Sequence, residues 1–197
     1  MRSINQIVIH CSASPNGVAV SMAQIDAWHR DRGFTRGPIR SPALRPELKS
    51  IGYHWVIGAD GVARAGRDKA EVGVHPLNHG DSTLAICMVG TDSFFKAQWQ
   101  GLNELLGLIA WNWSCDARPA VQVPPYPYSA ATTLSQFAKL GVTIIGHREL
   151  SLHSACPGFS VPGWLAAGMQ PTSQQVLDNH PAIASSSANV RLNAGAL

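Results

Sequence analysis

The sequence predicts an α/β fold in which a central mixed β-sheet is flanked by helices. Short apolar runs typical of strands alternate along the chain with stretches in which apolar residues recur at helical spacing. In addition, Asp60-Gly61 separates two short apolar segments, which is a strong signal for a β-hairpin. The chain has 197 residues, of which 45% are hydrophobic and only 14% are charged. This composition excludes an intrinsically disordered protein and is sufficient for one domain with a buried core.

The N-terminal elements are a strand and a capped helix. The apolar run from Ile4 to Ile9 predicts a buried strand that ends at His10. Ser21-x-x-Gln24 is a capping-box pattern, so a helix should begin after Ser21 and end near Gly33. The apolar residues of this helix recur at helical spacing: Met22, Ile25 and Trp28. His29 lies on the same helix and is expected at its solvent edge.

Three further strands are predicted in the middle of the chain. Tyr53 to Ile57 and Val62 to Ala65 flank the hairpin turn. Thr83 to Val89 is a continuous apolar run, which is typical of a central strand. Within it, Cys87 is interpreted as a small core residue. His54 follows Tyr53 on the same strand, so its side chain should point to the opposite face and serve the structure.

The remaining elements alternate between helix and strand. From Ala97 to Trp113 the apolar residues form one helical stripe, so its tryptophans are interpreted as core residues and not as a sugar-binding platform. A short helix around Thr133 to Lys139 should lead into a strand from Val142 to Ile145, which delivers His147. Pro162 to Ala167 is expected to form a last helical turn.

The composition also divides the chain into segments. Residues 1–168 are predicted to form one domain, with a Pro-rich insertion at about 115–132. Residues 169–197 are rich in Ser, Asn, Ala and Gln, and are expected to form a low-complexity C-terminal tail. A basic loop at 30–49 carries a net charge of +4, although the whole chain carries only +3. All of the net positive charge therefore lies in this loop.

Three possible metal ligands follow predicted strands: His10, His147 and Cys156. A single histidine at a strand end is usually a satisfied polar residue, so the prediction depends on the combination. Two imidazoles and one thiolate suit zinc, and three protein ligands leave a fourth position for water or substrate, as in catalytic zinc sites. The N-terminus lacks the apolar region of a secretory signal, so the four cysteines are expected to be reduced.

Six motifs carry a resemblance to a known family. In order they are HCSAS, GYHWVI, ADGVARAGRD, VGVHPLNHGDSTLAICMVG, GHRE and ACPGF, and the match around them runs from about Ile4 to Trp164. As a set they resemble the zinc-dependent N-acetylmuramoyl-L-alanine amidases of the phage lysozyme and peptidoglycan recognition protein type. The resemblance implies the amidase fold of those proteins and zinc as cofactor. It also implies hydrolysis of the amide bond between N-acetylmuramic acid and the L-alanine of the stem peptide.

The resemblance assigns roles to individual residues. His10, His147 and Cys156 match the three zinc ligands of the family. Tyr53, in GYH, matches the tyrosine beside the metal. Glu149 has two interpretations, a carboxylate that orients His147 or, more simply, a salt bridge with an arginine.

Other matches concern the substrate. His75 and Asn78 match a stretch that lines the substrate groove. The family usually has a lysine or threonine two residues before the last zinc ligand, but this chain has Ser154 there. Counting forward from His147 places His153 at that position. Either side chain is a candidate to stabilise the oxyanion, and His153 has the alternative of being a loop residue without a role.

The resemblance also sets expectations about partners and location. Peptidoglycan or a muropeptide is the expected substrate, with no nucleic acid, no membrane span and a monomeric state. Without a signal peptide, the chain is expected to be made in the cytoplasm and to reach the periplasmic wall after release, as a phage or prophage endolysin. The alternatives are a non-catalytic peptidoglycan-binding module, a cytoplasmic muropeptide-recycling amidase and a secreted effector. A polymerase-binding role, known in the phage branch, has no mark in the sequence.

The basic loop has two interpretations. It is either a solvated loop or a border of the groove that attracts anionic stem peptides or lipopolysaccharide. In the second case Arg36, Arg40 and Arg45 supply the attraction.

Overall fold

The computed structural model describes residues 2–37, 45–74, 81–115, 129–151 and 153–178. In chain order the elements are β1 (Gln6–Cys11), α1 (Met22–Asp31), β2 (Trp55–Ile57), β3 (Ala63–Ala65), β4 (Thr83–Met88), β5 (Phe94–Phe95), α2 (Lys96–Cys115), α3 (Ala130–Leu140), β6 (Thr143–Gly146), α4 (Val161–Ala166) and β7 (Val176–Leu177). Within these ranges, none of the helices is both long and apolar enough to cross a membrane. His75, Asn78, Arg40 and most of the Pro-rich insertion lie outside the described residues.

The main sheet has five strands in the order β3-β2-β4-β1-β6. β1 pairs in parallel with both β4 and β6, and β2 pairs in parallel with β4. β3 is antiparallel to β2, as expected of the hairpin. The sheet is therefore mixed and flanked by helices, which confirms the predicted fold class. Because parallel strands end at the same edge of a sheet, the residues that follow β1 and β6 lie close together.

The two faces of this sheet are covered differently. One face packs against α2 in a large apolar cluster that includes Ile9, Leu105 and Trp99, each at most 3% exposed. Trp99 packs edge-on against Phe159 with ring centroids 4.8 Å apart, so the prediction that it is a core residue is confirmed. The other face packs against α1 in a smaller cluster, which contains the fully buried Cys87.

Helix α1 begins as predicted but turns a different residue inward. The Ser21 hydroxyl accepts a hydrogen bond from the Gln24 N–H, and the Gln24 side chain accepts one from the Ser21 N–H, which confirms the capping box. His29 is only 4% exposed, whereas Trp28 is 37% exposed. The prediction that His29 lies at the solvent edge is wrong, because the buried stripe of α1 continues from Ile25 to His29, four residues on.

The domain continues past the boundary expected at residue 168. Met169 is 1% exposed, and β7 pairs in parallel with β5 to form a second, two-stranded sheet. The Trp99 indole also donates a hydrogen bond to the Gln175 carbonyl oxygen at 3.2 Å. Residues 169–178 are thus part of the domain, because Met169, Val176 and Leu177 pack against it. The polar composition of the segment as a whole does not indicate these apolar contacts. The expected boundary lies too early.

Candidate metal centre and active site

The site lies at the edge of the sheet where β1 and β6 end. His10 is the penultimate residue of β1. His147 begins the 3₁₀ turn that directly follows β6. The register pairs Ile9 with Gly146, so the two histidines that follow are neighbours across adjacent strands. Their ring centroids are 4.9 Å apart. The parallel pairing of β1 and β6 therefore brings together two residues that are far apart in the sequence.

Cys156 completes a cluster with these two histidines. Its Sγ lies 3.9 Å from Nδ1 of His10, and one ligand atom from each of the three residues lies within 4.8 Å of the other two. Ligand atoms on a tetrahedral zinc ion lie roughly 3.3–3.6 Å apart, given bonds of about 2.0–2.3 Å. The three donors are thus close to the spacing that a metal ion requires. The described residues contain this one group of metal-ligating side chains, and its chemistry fits zinc.

Backbone hydrogen bonds hold the segment that carries His147 and Cys156. The Arg148 N–H donates to the Cys156 carbonyl oxygen at 2.7 Å. The Glu149 carboxylate accepts from the Gly146 N–H at 2.6 Å and so fixes the turn that begins at His147. This backbone role is neither of the two that the sequence suggested for Glu149.

The protonation of the cluster suits metal binding at His147. Burial lowers the pKa of His147, so its imidazole is neutral near pH 7, as a ligand must be. Contact with the Cys11 side chain, together with burial, raises the pKa of the Cys156 thiol. The Cys11 N–H donates to Cys156 Sγ at 3.1 Å and thereby favours a thiolate. Cys156 would hold a cation as the thiolate, since coordination to a metal favours the deprotonated form of a thiol.

Tyr53 lies beside the cluster. Its ring centroid is 5.3 Å from that of His10 and 4.9 Å from that of His29. Burial raises the pKa of the phenol well above its usual value, so the hydroxyl stays protonated at neutral pH. His54, the next residue, is fully buried and points elsewhere, since its Nδ1 accepts from the Ala85 N–H at 2.9 Å. The structural role predicted for His54 is confirmed.

A groove of about 450 Å³ opens over the cluster. Twelve residues line it: His10, Cys11, Ser12, Ala13, His29, Arg32, Phe34, Tyr53, Val74, His147, Ser154 and Cys156. Ser154 is thus in the groove, whereas His153 is exposed and is absent from its lining.

One wall of the groove, formed by α1 and the residues after it, was not predicted from the sequence. His29, Arg32 and Phe34 line the groove there, and the sequence showed only that they lie on or just after a capped helix.

The arginines of the basic loop are largely occupied by neighbours. Arg36 is 3% exposed and forms an ion pair with Glu71, which is 9% exposed. Arg45 pairs with Glu47. The hypothesis that Arg36 offers a surface charge to the substrate is therefore wrong, because its guanidinium is buried against Glu71.

Comparisons with known proteins agree with this geometry. Residues 1–159 match the family model described as N-acetylmuramoyl-L-alanine amidase. The endolysin of Enterobacteria phage T3 is 31% identical over 166 residues, which cover 80% of this chain and 83% of the endolysin. The endolysin of Escherichia phage T7 is 26% identical over 170 residues, which cover 82% and 85%.

A solved structure shares the fold at lower identity. The structure of Drosophila PGRP-LB superposes with a TM-score of 0.52 at 18% identity, over 85% of this chain and 82% of that one. This likeness concerns the fold. The family match over residues 1–159 and the 31% identity to the phage T3 endolysin show that the chain belongs to the N-acetylmuramoyl-L-alanine amidase family.

Proposed function

We propose that this amidase uses a zinc ion held by His10, His147 and Cys156 to cut the bond between N-acetylmuramic acid and L-alanine in peptidoglycan. The observation that carries the proposal is the convergence of the three donors within 4.8 Å, at the floor of a groove. Three protein ligands leave one position for water or a substrate oxygen. When bound, zinc supplies Lewis acidity and makes hydroxide available near neutral pH.

Tyr53 is the proposed hydrogen-bond donor to the scissile carbonyl. Negative charge develops on that oxygen as the amide is attacked, so a donor fixed beside it lowers the barrier. Two observations support this role: the ring lies 5.3 Å from that of His10, and burial holds the pKa of the phenol far above neutrality. Tyr53 therefore stays neutral, and its hydroxyl group acts as a hydrogen-bond donor without losing its proton.

Ser154 is the better candidate for the second polar group. It lines the groove, and its Oγ accepts a hydrogen bond from the Cys156 N–H at 3.3 Å, which leaves its own proton available for donation. His153 is exposed and outside the groove lining, which favours the alternative of a loop residue. Contact of His75 and Asn78 with the substrate stays a prediction. It is supported by Val74, the last described residue before them, which lines the groove.

The relatives suggest the setting. Both are named endolysins of phages, which supports the interpretation that this chain degrades the bacterial wall in a phage context. We place its action at the periplasmic wall, after synthesis in the cytoplasm and release. Peptidoglycan is its proposed partner, and a monomer is the expected state.

The test combines metal content with product analysis. Purified protein should contain about one zinc per chain, and digestion of murein sacculi should release free stem peptides that mass spectrometry identifies. Cys156→Ser should lose both zinc and peptide release, and a chelator should reproduce the loss until zinc is restored. Leu105→Ala is the control for destabilisation alone, since it removes a fully buried side chain that packs on the α2 side of the sheet and lies outside the cluster.

Two results would contradict the proposal. Peptide release by metal-free Cys156→Ser protein would remove the metal from the mechanism. Binding to sacculi without any released peptide would instead indicate a non-catalytic binding module.

A further inference from the structure

The backbone that leads into Tyr53 is held by two side chains of α1. Asp26 Oδ1 accepts hydrogen bonds from the Ser50 and Ile51 N–H groups, each at 2.7 Å. His29 Nδ1 accepts from the Gly52 N–H at 2.8 Å. Three consecutive amides are thus bound by acceptors three residues apart on one helix, which lie on the same helix face.

The other side of this segment is fixed as well. The Gly52 carbonyl oxygen accepts from the Val74 N–H at 3.0 Å, and the Tyr53 carbonyl oxygen accepts from the Arg67 N–H at 3.0 Å. A Cβ placed on Gly52 would lie 3.0 Å from the Val74 Cβ and 3.3 Å from the His29 Cε1. Any side chain at 52 would therefore push the segment away from His29, and glycine allows the close approach.

His29 also contacts the tyrosine itself. The two rings meet edge to face, with an interplanar angle of 64° and centroids 4.9 Å apart. Phe34 packs against the imidazole at 5.2 Å, so the ring is enclosed between two aromatic residues. Since His29 is 4% exposed, it has little freedom to adopt another rotamer.

From these contacts we infer that His29 is a positioning residue for catalysis, which together with Asp26 sets where the Tyr53 hydroxyl meets the substrate. His29 acts through Tyr53 and not through the metal ligands. The inference rests on the role proposed for Tyr53. An enzyme whose catalytic hydrogen-bond donor is displaced by about 1 Å can lose roughly 100-fold in rate. Loss of the contacts that hold the Tyr53 ring should therefore lower kcat measurably.

The hydrogen bond specifies the tautomer of His29. Because Nδ1 accepts from a backbone amide, the imidazole proton is on Nε2. Burial, followed by the charges of Arg32 and Arg67, lowers the pKa of His29 to about 4, so the ring stays neutral at working pH. Nitrogen-15 NMR of histidine-labelled protein at pH 7 should show an unprotonated Nδ1 for His29. A protonated Nδ1 would overturn the inference independently of activity.

The kinetic test is a double-mutant cycle on the zinc-loaded enzyme. His29→Phe keeps a ring but removes the acceptor, and should lower kcat by about 10- to 100-fold with a smaller change in KM. His29→Asn, whose Oδ1 can replace Nδ1 as acceptor, should recover most of the loss. Arg30→Gln, a solvent-exposed neighbour on α1, should leave kcat unchanged.

The cycle also separates this inference from the proposed function. In the Tyr53→Phe background, His29→Phe should lower kcat by less than about threefold further, because the two residues act as one unit. Equal losses in both backgrounds would overturn the positioning role while leaving Tyr53 as the donor. Full activity of Tyr53→Phe alone would refute the proposed role of Tyr53, and the inference with it. Loss of zinc from His29→Phe would show that His29 acts on the ligands, which also contradicts the inference.

Discussion

The two faces of the sheet are stabilised in different ways. The face covered by α2 is a continuous apolar layer in which Leu102, Leu105 and Leu106 are completely buried. The face covered by α1 has a smaller apolar cluster, and it is supplemented by side chains that bind backbone groups. Apolar contact is non-directional, whereas hydrogen bonds fix positions and angles. The proposed active-site groove opens at the edge of the sheet on the α1 side, beside these directional contacts. Bulk apolar packing and the positioning of the groove residues thus fall on opposite faces of the sheet.

Removing the buried charge of Arg36 tests the polar face most strongly. Arg36→Gln leaves the Glu71 carboxylate buried without its cation, and should cost about 3–5 kcal/mol of unfolding free energy at pH 7. Urea unfolding measures this cost. Arg45→Gln is the control, since the more exposed pair with Glu47 should contribute only about 0–1 kcal/mol. Equal, small losses in both variants would mean that the Arg36–Glu71 pair is not structural.

The same pair predicts a pH dependence. Burial alone raises the pKa of Glu71, but the hydrogen bond and charge of Arg36 outweigh it and hold the pKa below its usual value. A carboxylate with a lowered folded-state pKa stabilises the protein above about pH 4.3, and this contribution is lost as pH falls through the folded-state pKa. The stability difference between the wild-type protein and Arg36→Gln should therefore shrink at acid pH.

On the apolar face, Leu105→Ala should lower stability without changing chemistry. Deleting a fully buried leucine side chain leaves a cavity and typically costs about 2–5 kcal/mol. At a temperature where the variant remains folded, its kcat on sacculi should equal that of the parent protein. A fall in kcat with zinc retained and the fold intact would show that the α2 face also positions the site.

The smallest expected effect concerns the charge in the groove. Four ion pairs form among the described residues, and Arg32, which lines the groove, takes part in none of them. Arg32→Gln should raise KM for anionic stem peptides a few-fold at low salt and less at high salt, because solvated charges are screened. Arg30→Gln, whose partner is Asp31, is the matched control. An unchanged KM at low salt would mean that Arg32 is solvated and does not attract the substrate.

Local patterns predicted the fold well because each depends on nearby residues. The Ser21–Gln24 cap, the Asp60-Gly61 hairpin and the apolar run of β4 each carry their signal within a few positions. The three residues of the cluster were named from strand ends and donor chemistry, but that they meet was implied by the family resemblance and not by their spacing. Long-range contacts were not accessible in this way.

His29 and Arg36 show why the remainder was missed. His29 lies four residues after the buried Ile25, but a polar residue beside the larger apolar Trp28 looks like a surface residue. The Gly52 N–H supplies the hydrogen-bond partner that its burial requires. Arg36 finds its partner Glu71 across 35 residues, so a local count of charges could not identify the pair. Both residues depend on a tertiary contact that the neighbouring sequence does not show.

The placement of β1 between β4 and β6 has a consequence for the time at which the enzyme becomes active. β1 leaves the ribosome well before its two neighbours in the sheet, which begin at Thr83 and Thr143. Such non-local pairing slows folding, since long loops must close before contacts form. The three proposed metal ligands span residues 10 to 156. A nascent or truncated chain without Cys156 lacks one of these ligands, so the proposed site can form only after nearly the whole domain has been synthesised.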